Sequence, residues 1–76
     1  MTFKHDNITV VFRRREKSLI VIYKWANHRS KYKFKATTSK MYDIELFRID
    51  WARKWDLMSL AEKETAMNEL AKGLER

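Results

Sequence analysis

One stretch of this chain alternates lysine with aromatic residues. Lys31, Lys33 and Lys35 occupy every second position, and Tyr32 and Phe34 stand between them. Successive side chains of a β-strand point to opposite faces, so the alternation predicts a strand with its lysines on one face, about 6–7 Å apart. That spacing is close to the distance between successive phosphates along an extended nucleic-acid strand. The three ammonium groups therefore have the chemistry and the spacing to neutralise a polyanion.

Three consecutive arginines form a second cationic group. Arg13, Arg14 and Arg15 are followed closely by Lys17, and we expect the group at the tip of a hairpin. The planar guanidinium fork binds phosphate bidentately, although neighbouring residues of a strand point to alternate faces and not all can meet one ligand. The full set of predicted nucleic-acid-binding residues is Arg13, Arg14, Arg15, Lys17, Lys24, Arg29, Lys31, Lys33 and Lys35.

Trp25 stands directly before a polar and basic segment, Ala26 to Arg29. A tryptophan in this position can stack on an unpaired base, and we predict that role for Trp25. The alternative is that Trp25 packs in the core, as most aromatic side chains of small domains do.

The two histidines add little further chemistry. His28 is a general acid–base group by type, but the sequence supplies no carboxylate to orient it, so we predict no catalytic residue and no enzymatic activity. The chain has no cysteine, and His5 is distant from His28 in sequence, which predicts no metal site. Gly73 is the only glycine, so no phosphate-cradling loop exists and no cofactor is predicted.

The positive charge belongs to the first half of the chain. Residues 1–40 hold eleven basic and two acidic residues, a formal charge of +9. Residues 41–76 hold six basic and eight acidic residues, a formal charge of −2, so the whole chain carries +7. This segregation exceeds what solubility requires and predicts an anionic partner.

Period-two patterns predict three strands that position these cations. They run from Asn7 to Arg15, from Ser18 to Trp25, and from Ser30 to Thr37. The short polar break at residues 15–17 predicts an antiparallel hairpin, and residues 26–29 predict a loop.

The apolar spacing becomes helical after Thr37. Thr38 or Ser39 can cap a first helix, whose inner face we predict to be Ile44, Phe47, Trp51, Trp55 and Met58. Acidic residues near its start, Asp43 and Glu45, and basic residues near its end suit the helix dipole. Residues 41–46 also alternate in the manner of a short strand, which is the alternative assignment for that segment.

A capping-box sequence precedes a second helix. Ser59 and Glu62 have the spacing at which each side chain accepts a hydrogen bond from the other's backbone amide. The predicted inner stripe of this helix is Leu60, Met67, Leu70, Ala71 and Leu74.

These elements predict a single α+β domain over residues 1–76. A sheet of three antiparallel strands, or four if residues 41–46 are also extended, is followed by two C-terminal helices packed on one face. Residues 1–37 form the basic sheet part and residues 38–76 the helical part.

The leading hypothesis is a small nucleic-acid-binding protein of low sequence specificity, with RNA slightly favoured over DNA. The alternative is a protein-binding regulator that meets an acidic partner, such as an inhibitor of a nuclease, toxin or polymerase encoded by a phage or mobile element. A homodimer is compatible with the charges, since the acidic helices of one subunit can face the basic sheet of another. The plain alternative is that lysines only keep an edge strand soluble.

Composition also suggests where such a protein acts. No segment is apolar and long enough to span a membrane, and Met1 to His5 lacks the apolar stretch of a signal peptide. The absence of cysteine permits a reducing compartment. We therefore expect a cytoplasmic protein without a membrane partner.

Overall fold

A computed structural model describes residues 1–36 and 38–75 of the chain. Four strands, β1 (Thr2–His5), β2 (Ile8–Arg14), β3 (Ser18–Trp25) and β4 (His28–Lys35), form one antiparallel sheet in chain order. Helix α1 (Ser39–Lys54), a 3-10 turn (Trp55–Leu57) and helix α2 (Leu60–Glu75) follow. The predicted fold class, an antiparallel sheet followed by two C-terminal helices, is confirmed.

The fourth strand lies at the N-terminus rather than at residues 41–46. Phe12 donates its backbone N–H to the Met1 carbonyl at 2.8 Å, and the Met1 amine donates to the Phe12 carbonyl at 2.9 Å, which extends the β1–β2 ladder. Residues 41–46 belong to α1, and the Thr38 side chain caps the start of this helix by accepting the Met41 N–H at 3.3 Å. The alternative assignment of a strand to that segment is therefore wrong.

Two tight turns lie at the same end of the sheet. Asp6 and Ala26 each have a φ of 53°, a left-handed conformation that favours glycine. For Ala26 this conformation costs roughly 1–2 kcal/mol. Each turn joins its strands through two residues, so β4 begins at His28 and the predicted loop over residues 26–29 is half as long as expected. The predicted strand end at Thr37 lies outside the described residues.

The strand register decides which side chains share a face. Phe12 lies across from Val21, and Val21 lies across from Tyr32, so all three point to one side of the sheet. The helices pack on this side, which we call the covered face. Its buried residues are Phe3, His5, Val10, Phe12, Leu19 and Val21. The opposite side is the open face.

Trp51 of α1 is the centre of the core. Only 1% of its surface is exposed, and it meets Phe3, Phe12 and Phe47 edge-on at ring-centre distances of 5.4, 5.7 and 6.3 Å. Edge-to-face aromatic pairs add stability beyond the area that they bury. This cluster joins β1, β2 and α1 and therefore holds the covered face against the helix.

The helix ends follow the predicted capping chemistry in part. Ser59 donates its N–H to Glu62 Oε1 at 3.1 Å, and Glu62 donates its N–H to Ser59 Oγ at 3.2 Å, so the capping box is confirmed. The first turn of α1 holds no acidic residue, because α1 begins at Ser39 and Asp43 and Glu45 lie further along; the expected dipole match at this end is wrong. Arg53 and Lys54 do lie in its last turn.

The inner stripe of α2 differs from the prediction at one end. Met67, Leu70 and Leu74 are buried as expected, whereas Leu60 is 72% exposed. Leu60 is the first residue of the helix, and Ala66 completes the buried stripe instead. None of the described helices has the length and apolar character needed to cross a membrane.

Candidate nucleic-acid interface

The open face of the sheet gathers most of the predicted cations. Register pairs Arg13 with Ile20 and Ile20 with Lys33, and it pairs Lys24 with Arg29, so these side chains share that face. Its complete set from strand to strand is Thr2, Lys4, Thr9, Val11, Arg13, Ser18, Ile20, Ile22, Lys24, Arg29, Lys31, Lys33 and Lys35. The set contains seven cations and no acidic residue.

The centre of the open face is apolar. Ile22 is 3% exposed but does not belong to the hydrophobic core of the covered face. Its cross-strand neighbours are Val11 and Lys31, so we attribute its burial to these side chains and to the hydrocarbon stem of the lysine. The ammonium group of such a lysine stays in water. The cations of the open face therefore surround an aliphatic centre.

No carboxylate neutralises the cations of the open face within the described residues. Among the described residues, His5 pairs with Asp6, Arg14 and Arg48 pair with Glu45, and Lys54 pairs with Asp50. None of these basic groups belongs to the open face. The positive charge of the sheet is therefore available to a ligand.

The hairpin end adds a further cation. Lys17 lies in the turn between β2 and β3, and its carbonyl accepts the Ala36 N–H at 2.9 Å, which brings the turn beside the end of β4. Lys17, Lys33 and Lys35 line a shallow depression together with Ser18 and Ala36. Three lysines border this one depression, so their ammonium groups can converge on one phosphate group.

The arginine run is divided between the two faces. Arg13 points to the open face, whereas Arg14 lies across from Leu19 on the covered side. Arg14 donates Nη1 to the Ser18 carbonyl at 3.2 Å, and its Nε lies 3.9 Å from Glu45 Oε1. Glu45 also binds Arg48, which donates from Nε and Nη2. Arg14 is thus part of an internal ion pair, while Arg15 is exposed in the turn.

Trp25 lies on the covered side of the sheet, at its margin. It is 52% exposed and stacks on His28, with ring centres 6.0 Å apart and planes inclined by 19°. The structure therefore separates Trp25 from the open face, where no aromatic side chain lies. His28 has no carboxylate within 4.0 Å among the described residues.

Lys4 belongs to the open face and was not among the predicted residues. It lies across from Thr9, which lies across from Lys24, so Lys4 extends the row that ends at Arg29. The signal was present in the sequence: Phe3 and His5 flank Lys4 in a period-two pattern that ends at a two-residue polar turn. It was missed because that turn uses Asp-Asn in place of Asp-Gly or Asn-Gly.

A different kind of surface lies on the outer side of α1. Tyr42, Leu46 and Ile49 are 67%, 48% and 40% exposed and recur at the four- and three-residue spacing of one helical face. Leu57, which follows in the 3-10 turn, is 85% exposed. We call Tyr42, Leu46 and Ile49 the outer α1 stripe. It lies on the side of the helix opposite Ile44 and Trp51, which face the core.

No protein-family model matches the chain, and comparisons with curated proteins and with solved structures also find no match.

Proposed function

We propose that this protein binds nucleic acid through the open face, with low sequence specificity. The observation that carries the proposal is the grouping of seven cations on one sheet face that holds no acidic side chain. Four of them, Arg29, Lys31, Lys33 and Lys35, follow one strand at about 6–7 Å intervals. A phosphate backbone that runs along β4 meets these cations in succession and releases counterions.

Low specificity follows from the chemistry of the face. Lysine and arginine contacts to phosphate fix the position of a nucleic acid but do not read its bases. The basic residues of the two helices are balanced by acidic ones, so neither helix has the charge of a recognition helix in a groove. We propose a binding rather than a catalytic role, in the cytoplasm, with RNA preferred over DNA.

The proposal is tested by titrating binding against salt. Fluorescence anisotropy would measure binding of the protein to single- and double-stranded RNA and DNA oligonucleotides of one length. The salt concentration would be varied from about 50 to about 300 mM, the range over which phosphate contacts weaken. A triple variant carries Lys31→Gln, Lys33→Gln and Lys35→Gln. We expect it to bind at least about tenfold more weakly and to lower the salt slope by about two to three.

A matched control keeps the same net charge as this triple variant. Arg53→Gln, Lys54→Gln and Lys72→Gln remove three cations from exposed positions on the helices. This control should retain nearly the wild-type affinity and salt slope. Equal losses in both triple variants would show that net charge, and not the open face, governs binding.

The neighbouring arginines supply a second matched pair. Arg13→Gln and Arg14→Gln remove the same charge one residue apart, but only Arg13 points to the open face. We expect Arg13→Gln to lower the salt slope by about 0.7–0.9 and Arg14→Gln to leave it unchanged. An equal effect of both would contradict the assignment of faces.

A second candidate function is protein binding through the outer α1 stripe. Asp43 and Asp50 are exposed beside the stripe and border a groove with Leu46 and Phe47. Asp50 is already paired with Lys54 at 3.0 Å, whereas Asp43 has no ion-pair partner among the described residues. A partner protein that presents an apolar helix with basic flanks would supply Asp43 with an ion pair.

This candidate is tested with two designed amphipathic helical peptides. Both carry a leucine stripe, and the flanks are lysine in one and glutamate in the other. The lysine peptide should bind, and Leu46→Gln should weaken its binding, while the glutamate peptide should not bind. A dimer of the protein in sedimentation equilibrium that Leu46→Gln dissociates would contradict the choice of partner.

A further inference from the structure

A groove lies on the covered side of the sheet, between the margin of β3 and β4 and the second half of α2. Its volume is about 400 Å³, within the usual size of a small-ligand site. Tyr23, Trp25, His28 and Tyr32 line it from the sheet, and Asn68 lines it from the helix. Four aromatic rings in one exposed groove are suited to a flat aromatic ligand.

The floor of the groove is built by strand pairing. Trp25 lies directly across from His28, and the rings are stacked with their planes inclined by only 19°. Trp25 is half exposed, so this pair presents an open aromatic surface rather than a filled core. Stacking on such a surface accepts any nucleobase, because every base has a π-face.

The groove also holds polar groups for the edge of a ligand. No hydrogen bond between described residues engages the Tyr23 and Tyr32 hydroxyls or the Asn68 amide. Burial and the neighbouring Tyr32 raise the pKa of Tyr23 above its ordinary value of 10.0. Glu75 borders the groove, and its carboxylate repels phosphate but accepts hydrogen bonds from an amino group. The groove therefore suits a base and not the backbone.

The groove and the open face meet across one strand. β4 is an edge of the sheet, and its residues alternate between the two sides. Ser30 and Tyr32 line the groove, while Arg29 and Lys31, the residues beside them, belong to the open face. A single strand with its phosphates on Arg29 and Lys31 can place a base around this edge.

We propose that this groove binds one unpaired base of a nucleic-acid strand, stacked on the Trp25–His28 pair, while its phosphates lie on Arg29 and Lys31. The inference rests on the proposed function and adds to it the class of ligand: a flexible single strand. Paired bases in a duplex are stacked inside the helix and cannot enter the groove.

The test compares three ligands that share a phosphate backbone: a single-stranded RNA, a duplex of the same length, and an abasic strand of the same length. Anisotropy with wild-type protein should give the tightest binding to the base-containing single strand. Trp25→Ala should weaken that binding by about 5- to 150-fold and leave the duplex, the abasic strand and the salt slope unchanged. Circular dichroism would confirm that the variant is folded.

A second variant closes the groove without touching the aromatic pair. Ala71 lines the groove from α2, and Ala71→Leu fills part of it. This variant should reproduce the selective loss for the single strand. The control Thr65→Leu adds the same kind of side chain at an exposed α2 position outside the groove and should bind normally.

The outcomes separate the two proposals. If Trp25→Ala and Ala71→Leu bind the single strand as tightly as wild type, while the lysine triple variant binds weakly, the groove inference fails and the proposed function stands. Equal wild-type affinity for all three ligands would also overturn the groove inference. If the wild type binds none of them, the proposed function fails, and the groove inference fails with it.

Discussion

At the scale of the residue, identical side chains have different roles according to where the fold places them. Trp51 is 1% exposed and packs against three phenylalanines, whereas Trp25 is 52% exposed at the margin of the sheet. Arg13 and Arg14 are adjacent in sequence, but one faces solvent with the other cations and one is paired with Glu45. Residue type alone therefore does not indicate which residue binds and which stabilises.

The two tryptophans lead to a prediction about stability. Trp51→Ala leaves a large cavity and should lower the free energy of unfolding by about 3–5 kcal/mol, which is a large share of the total stability of a small domain. Trp25→Ala should lower it by only about 1–2 kcal/mol, because half of that side chain is already in water. Urea unfolding followed by far-UV circular dichroism would measure both. Similar losses would contradict the placement of Trp51 at the centre of the core.

At the scale of the element, the capping box at the start of α2 is isolated enough to be tested. Ser59→Ala removes the acceptor of the Glu62 N–H and should cost about 1 kcal/mol, which lowers the Tm by about 4–8 °C. Thr65→Ala, an exposed change within the same helix, is the control and should not lower the Tm. A loss as large in the control would mean that the hydroxyl of Ser59 has no special role.

The acid member of the capping box has a pH dependence of known sign. Hydrogen bonds from Ser59 lower the pKa of Glu62 from its ordinary value of 4.5. The stabilisation is therefore complete above pH 4.5 and is lost as the pH falls through the lower, folded-state pKa. Wild type should exceed Glu62→Gln in stability at pH 7, and the difference should shrink below pH 4.5. A difference that grows on acidification would contradict this assignment.

Repulsion between neighbouring cations of the open face lowers the stability of the sheet. Lys24 lies directly across from Arg29, and like charges in such a pair are destabilising. Lys24→Glu should raise the free energy of unfolding by about 0.2–1 kcal/mol and weaken nucleic-acid binding, with Lys24→Gln intermediate in both. Thermal melts and anisotropy on the three proteins would measure this opposition. A less stable Lys24→Glu protein would argue against the β3–β4 register.

At the scale of the whole molecule, repulsion among the cations should govern the response to salt. The chain carries +7, and its open face has no internal counter-charge among the described residues. Raising salt screens this repulsion, so the Tm of the free protein should rise by roughly 2–5 °C. The triple variant at residues 31, 33 and 35 should show a smaller rise. A Tm that falls with salt would mean that the internal ion pairs dominate.

The sequence by itself determined the local elements and the segregation of charge. Three signals each depend only on residues that are close together in the sequence. They are the period-two alternation at Tyr32 and Phe34, the helical spacing at Ile44 and Trp51, and the capping box at Ser59. Such signals are local, so they predicted an antiparallel sheet followed by two helices and separated the lysines of β4 from its aromatic residues.

Only the tertiary structure decided how distant segments share a surface. Strand register brought Lys4, Arg13 and Lys24 onto the face of the β4 lysines and turned Arg14 away. The same register stacked Trp25 on His28, and the packing of α2 completed the groove beside them. These relations depend on pairings between residues far apart in the chain, and a shift of one residue would reverse every face; no local pattern contains that information.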